Sequence, residues 1–83
     1  MAEVIHKFGP LSPYSGKPVK IVGVPVHVGF QDEQVFVWCR RMAGKDNRSS
    51  EVRLVATGDT FIGPYIGTVI YPNGLVYHAI EVY

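Results

Sequence analysis

Hydrophobic positions in this chain recur at every second residue, and no window holds a 3.6-residue period over ten positions. That periodicity belongs to strands, whose side chains point alternately to opposite faces. Val4, His6 and Phe8 share one side of a first short strand over 3–8. Gly9 to Pro18 then carries three prolines and two glycines in ten residues, which predicts a loop, packed down by Leu11 and Tyr14. From Val19 to Gln31 the alternation resumes, with Val24, Val26, Val28 and Phe30 on one face and Pro25, His27 and Gly29 on the other. Pro25 places its strand at an edge or at a bulge, because proline donates no ladder hydrogen bond. Asp32-Glu33 forms the tip of a tight turn, and Val35 to Met42 returns. On the return strand Val35, Val37 and Cys39 share one face, while Phe36, Trp38, Arg40 and Met42 share the other. Both faces are partly apolar, so one of them must meet another sheet, a barrel interior or a partner. Residues 43–50 read as a polar loop, 51–57 as a further strand and 58–64 as a turn and irregular segment.

The strongest local signal lies at the end of the chain. Two runs rich in β-branched and aromatic residues flank Pro72-Asn73-Gly74. Proline pre-sets φ for the first turn position, and glycine accepts positive φ at the last. A three-residue loop pairs Tyr71 with Leu75, Val69 with Tyr77 and Gly67 with Ala79 on one face. It pairs Ile70 with Val76, Thr68 with His78 and Ile66 with Ile80 on the other. This register sorts the hairpin into an aliphatic side and a side carrying Tyr65, Tyr71, Tyr77 and Tyr83. The whole pattern predicts one all-β domain over residues 1–83. It would hold five to six mostly antiparallel strands in a small twisted sheet closing toward a barrel or sandwich, with a C-terminal hairpin.

Composition sharpens that picture. Only 18% of residues are charged, below the roughly 25% of an average domain. A chain of 83 residues buries only about 60% of its unfolded surface. Low charge on a small chain raises the expectation of faces that self-associate or bind, and a homo-oligomer is an open expectation. The formal net charge of +1 gives no electrostatic footprint for non-specific nucleic-acid binding. No apolar run reaches the ~18 residues of a membrane span, and no signal-peptide pattern opens the chain, which points to a cytosolic protein. Cys39 is the only cysteine, so no disulfide forms within the monomer, and it reads as a buried thiol in a reducing compartment.

No constellation for catalysis emerges. His6, His27 and His78 lack metal-ligand spacing, Cys39 sits mid-strand among apolar neighbours, and the glycines match no phosphate-binding motif. The expectation is therefore no enzyme, no metal and no cofactor. Two surface features remain. Arg40, Arg41, Lys45, Arg48 and Arg53 cluster around one loop, and Arg with aromatic residues on a β surface is how oligonucleotide-binding barrels work. The tyrosines supply large contact area with a polar handle, although the same face could be the second side of a small core. The predicted partner-binding residues are Tyr65, Tyr71, Tyr77, Arg40, Arg41 and Arg48.

Several short motifs carry a resemblance through their order and spacing: Ile5-His-Lys-Phe8, Val26-His-Val-Gly-Phe-Gln31, Val37-Trp38, Arg53-Leu-Val-Ala-Thr-Gly58, Tyr65-Ile-Gly-Thr-Val69 and Leu75-Val-Tyr-His78. Together they resemble a family of small uncharacterised proteins encoded mostly by bacteriophages, a domain of unknown function of about this length. Tyr77 stands where the family pattern has tryptophan. The resemblance implies a phage-encoded, mainly β protein of the host bacterial cytoplasm, and it brings no assigned catalytic residues. The resulting expectation is a non-catalytic binding protein that inhibits a host enzyme or defence system by steric occlusion. Its partner would be a host or phage protein. The alternatives are a nucleic-acid or nucleotide-binding β module and a structural or virion accessory oligomer.

Overall fold

The computed structural model of the protein describes residues 2–44 and 46–82. Lys45 of the basic cluster and Tyr83 of the predicted tyrosine side lie outside the described residues. Seven strands follow one another: β1 (Glu3–Leu11), β2 (Val19–Val22), β3 (Val24–Gln31), β4 (Gln34–Met42), β5 (Ser49–Ala56), β6 (Tyr65–Ile70) and β7 (Val76–Val82). They form two antiparallel sheets, ordered β1-β4-β3 and β2-β5-β7-β6. No helix occurs among the described residues, so none is long and apolar enough to cross a membrane. The all-β class expected from the periodicity is correct. The strand count of five or six and the sheet closing toward a barrel are not.

The extra strand comes from one residue. Val19 to Gln31 alternates as a single run, but Gly23 sits at φ +99° and turns the chain out of one sheet into the other. A Cβ at Gly23 would lie 2.6 Å from the Arg40 carbonyl oxygen, so the crossing needs a residue without one. The Gly23 N–H donates to the Arg48 carbonyl at 2.8 Å and ties the crossing to the entry of β5.

β3 confirms both readings of Pro25. It is an edge strand, and the ladder slips between Pro25 and His27. That bulge moves the upstream residues to the other face. Only Val28 and Phe30 of the predicted apolar quartet face inward, and Val24 and Val26 are 44% and 50% exposed. At the β3–β4 turn Gln31 pairs with Gln34, and Asp32 and Glu33 both take positive φ, the signature of a type I′ hairpin.

The core joins the two sheets. Leu11, Val28, Val35, Val37 and Cys39 come from the first sheet, and Ile21, Val52, Val69 and Ala79 from the second. Each buried aliphatic side chain contributes on the order of 1.5–3 kcal/mol. Val55 and Ile80 are also buried but point to the other side of the second sheet, where the 57–64 connection returns along β7. There the Glu81 N–H donates to the Pro64 carbonyl at 2.8 Å, and Gly63 passes too close to the Glu81 carbonyl for any Cβ.

The terminal hairpin has the expected loop. Tyr71 N–H donates to Leu75 O at 2.7 Å, Gly74 N–H donates to Tyr71 O at 2.8 Å, and Gly74 sits at φ +88°. The register from Ile70↔Val76 to Gly67↔Ala79 is as predicted. Beyond it a bulge at Ile66 pairs Tyr65, not Ile66, with Ile80. Tyr65 is therefore parted from Tyr71 and Tyr77. Those two pack against the core, and Ile70 of the aliphatic side is 66% exposed.

Candidate functional site

The outward face of the β1-β4-β3 sheet gathers unusual chemistry. Residues directly opposite in a ladder share a face. Lys7 and His27 both lie opposite Trp38, Gly29 lies opposite Phe36, and Ile5 and Val24 lie opposite Arg40. All of these point away from Val35, Val37 and Cys39. Trp38 and Phe36 are half-buried, Ile5 is 53% exposed and His27 is exposed. Their rings contact one another: His27 to Trp38 at 5.5 Å and Phe36 to Trp38 at 6.4 Å between centroids. Lys7 Nζ stands 4.5 Å over the Phe36 ring and donates to Gln31 Oε1 at 2.7 Å. A Cβ at Gly29 would lie 2.9 Å from His27 Nε2, so the glycine makes room for the imidazole to lie across the strand. The result is an aromatic platform with a cation held over one ring.

Arg40 sits at the rim of this platform, its Nε 3.2 Å from Glu3 Oε1. Arg41, one residue on, pairs with Val4 on the opposite side of the sheet. Arg48 leads into β5 and grips Glu81, with Nη1 3.0 Å from Oε2 and Nη2 donating to Oε1 at 3.3 Å. Ser50 Oγ donates to Glu81 Oε2 at 2.6 Å, and the Glu81 side chain is 3% exposed. The fold does bring Arg40, Arg41 and Arg48 together, around a depression of about 360 Å³. Two of the three already face carboxylates, so much of their charge is used within the chain. Asn47 closes the 43–48 loop by accepting from Met42 N–H and donating to Met42 O, both at 3.1 Å.

The tyrosines divide differently. Phe30, Tyr71, Tyr77 and Tyr14 form an edge-to-face ladder with successive centroid separations of 4.7, 5.3 and 6.5 Å. Burial, and then the neighbouring Tyr14 and Tyr77 hydroxyls, hold the Tyr71 hydroxyl above the ordinary phenol range. Tyr14 ends the ladder at 72% exposure. Tyr65 stands on the outward side of the second sheet. There its hydroxyl lies 2.6 Å from Thr68 Oγ1, Thr68 Oγ1 lies 2.9 Å from His78 Nδ1, and His78 Nε2 lies 2.8 Å from Thr57 Oγ1. The His78–Thr68 cross-strand hydrogen bond is the one the register predicts.

The histidines are placed apart: His6 opposite Cys39, His27 on the aromatic platform and His78 in the other sheet. Among the described residues no three metal-ligating side chains converge. The Cys39 thiol is fully buried and pushed up to about 11, first by burial and then by the Glu81 carboxylate, with Arg48 opposing. A thiol in that state is a poor nucleophile at neutral pH.

Sequence periodicity put Phe36, Trp38 and Arg40 on one of two partly apolar faces of their strand, and the face the second sheet covers is the other one, with Val35, Val37 and Cys39. Lys7 and His27 join the Trp38 face only through cross-strand register, which no local signal reveals.

Fold and surface together define a small two-sheet β protein with an open aromatic face. Within that class, the chain belongs to the domain of unknown function DUF7352, whose model matches residues 1–83. No curated protein and no solved structure matches it.

Proposed function

We propose that this protein is a non-catalytic binding protein that masks a surface of a partner protein with the outward face of the β1-β4-β3 sheet. One observation carries the reading: the sole tryptophan, with Phe36 and His27, stands on a sheet face whose ring contacts are all made within that face. Tryptophan and arginine are over-represented among the few residues that dominate binding energy, and Trp38 lies near the middle of this face with Arg40 at its rim. The buried, hard-to-ionise Cys39 and the dispersed histidines favour binding over catalysis. The resemblance to phage-encoded proteins supports a host-cytoplasmic setting in which the partner is a host enzyme or defence component and the effect is steric.

Affinity capture from the native host, with wild type and Trp38→Ala side by side, tests this. Trp38→Ala should weaken the captured complex about thirtyfold or more while the variant stays folded. Undiminished capture of the same partner by Trp38→Ala and by Lys7→Glu would reject the surface. A second reading, single-stranded nucleic acid stacked on the rings, is favoured by Lys7, His27 and Arg40 around them. It requires oligonucleotide binding that weakens as salt rises.

A further inference from the structure

We infer that the groove between the proline-rich loop and the β3–β4 turn receives a proline-rich peptide segment with a basic residue at its flank. This site is separate from the Trp38 platform and goes beyond the masking function above. The groove is lined by Pro10, Leu11, Pro13, Tyr14, Glu33 and Tyr71, with Gln34 beside them, and encloses about 200 Å³. That is below the ~300–1,000 Å³ of small-molecule sites, so it accepts side chains of an extended chain rather than a whole ligand. Its walls are aromatic rings and prolines. Tyr14 is 72% exposed, and its ring leans edge-on against Tyr77 at 6.5 Å. Aromatic ridges of this kind seat the polyproline II helix, which is already ordered before binding and leaves its carbonyls without internal partners. Tyr71 and Gln34, both lining residues, carry side-chain donors of the kind those carbonyls need.

Charge selects the flank. Glu33 lines the groove with Asp32 beside it, and among the described residues neither is in an ion pair. No lysine or arginine lines the groove. Glu33 is also an unexpected residue for its place. Its φ is +65°, at the second position of a type I′ turn, where glycine is the relaxed choice. A strained glutamate at the mouth of an aromatic groove is the kind of outlier that marks a binding role. Lys or Arg on the peptide would complete the pair.

Calorimetric titration of the full chain tests the inference. The probe is a blocked oligoproline bearing one N-terminal arginine, set against the same peptide with glutamate for arginine and against one with alanine for the prolines. The arginine oligoproline should bind at least fivefold more tightly than its glutamate counterpart, and the alanine peptide should not bind. Tyr14→Ala should weaken binding about tenfold or more. Glu33→Gly should raise Tm by relaxing the turn, yet reduce the arginine peptide to the affinity of the glutamate one. That opposition of stability and affinity separates a binding role from a structural one. No binding of the arginine oligoproline at millimolar concentration overturns the inference. So does binding unchanged by Tyr14→Ala, or binding unchanged by a folded Glu33→Gly.

Discussion

Replacing Gly23 by alanine puts a side chain at the point where the chain leaves the second sheet for the first. If Val19 to Gln31 were one continuous strand, as its alternation alone implies, the change would stabilise the fold by ~0.5–1 kcal/mol through lost backbone entropy. The structure predicts the opposite sign. At φ +99° an L-residue with a Cβ costs on the order of 1–3 kcal/mol. The new Cβ would also lie 2.6 Å from the Arg40 carbonyl oxygen and 3.0 Å from Arg41 Cβ. The oxygen is backbone in the β3–β4 ladder, so relief must come from moving strands, at roughly 1–3 kcal/mol. Subtracting the entropy gain leaves a net loss of about 3 kcal/mol. Against a total stability of ~5–15 kcal/mol, with a chain this small at the lower end, that is a large share. A domain of this size loses about 4–8 °C in Tm per kcal/mol, so Tm should fall by roughly 10–25 °C. Urea unfolding followed by Trp38 fluorescence measures the loss directly, provided the slope with denaturant is unchanged. An unaltered or raised midpoint would refute the sheet-switching role of Gly23.

Three further predictions concern the layer between the sheets. Arg48→Ala removes the guanidinium from a buried carboxylate. The loss should be about 2 kcal/mol, below the ~3–5 kcal/mol of fully buried pairs because the Arg48 side chain is 41% exposed; a urea midpoint within error of wild type would contradict this. The Cys39 thiol, pushed up to about 11 from 9.0, should resist disulfide-exchange reagents at neutral pH until the protein unfolds. The same shift has a signed consequence. Between about pH 9 and 11 the unfolded state releases the thiol proton and the folded state keeps it, so stability is full below pH 9 and falls as pH rises. Cys39→Ala should flatten that alkaline decline, whatever its effect on stability near pH 7, and an unchanged slope would show that another group causes it.

Much of this architecture is legible in local sequence. The Pro72-Asn73-Gly74 loop and most of its register follow from turn chemistry, and Asp32-Glu33 marks its own hairpin. Pro25 announces both an edge and a bulge because proline cannot donate to a ladder. What stays hidden is set by contacts far along the chain. Gly23 reads as one more strand glycine until the Arg40 carbonyl is placed beside it. The bulges at Val26 and Ile66 reverse which side chains face the core, and a period-2 pattern cannot show a one-residue slip. The same limit governs the site. Enrichment in tyrosine and arginine pointed to Tyr65, Tyr71, Tyr77, Arg40, Arg41 and Arg48. The fold turns Tyr71 and Tyr77 toward the core and sets Arg48 against Glu81. Trp38 meets neighbours from two other strands, Lys7 and His27, which sequence distance conceals.

The central claim, that the Trp38 face lies open in the free protein and is covered by a partner, is best tested with that residue's own fluorescence. As the only tryptophan, its emission and acrylamide quenching report this face alone. In the free monomer the indole should be readily quenched, and binding of the captured partner should shift its emission to the blue and protect it. An indole shielded in the free monomer, or one left equally accessible in the complex, would contradict the account.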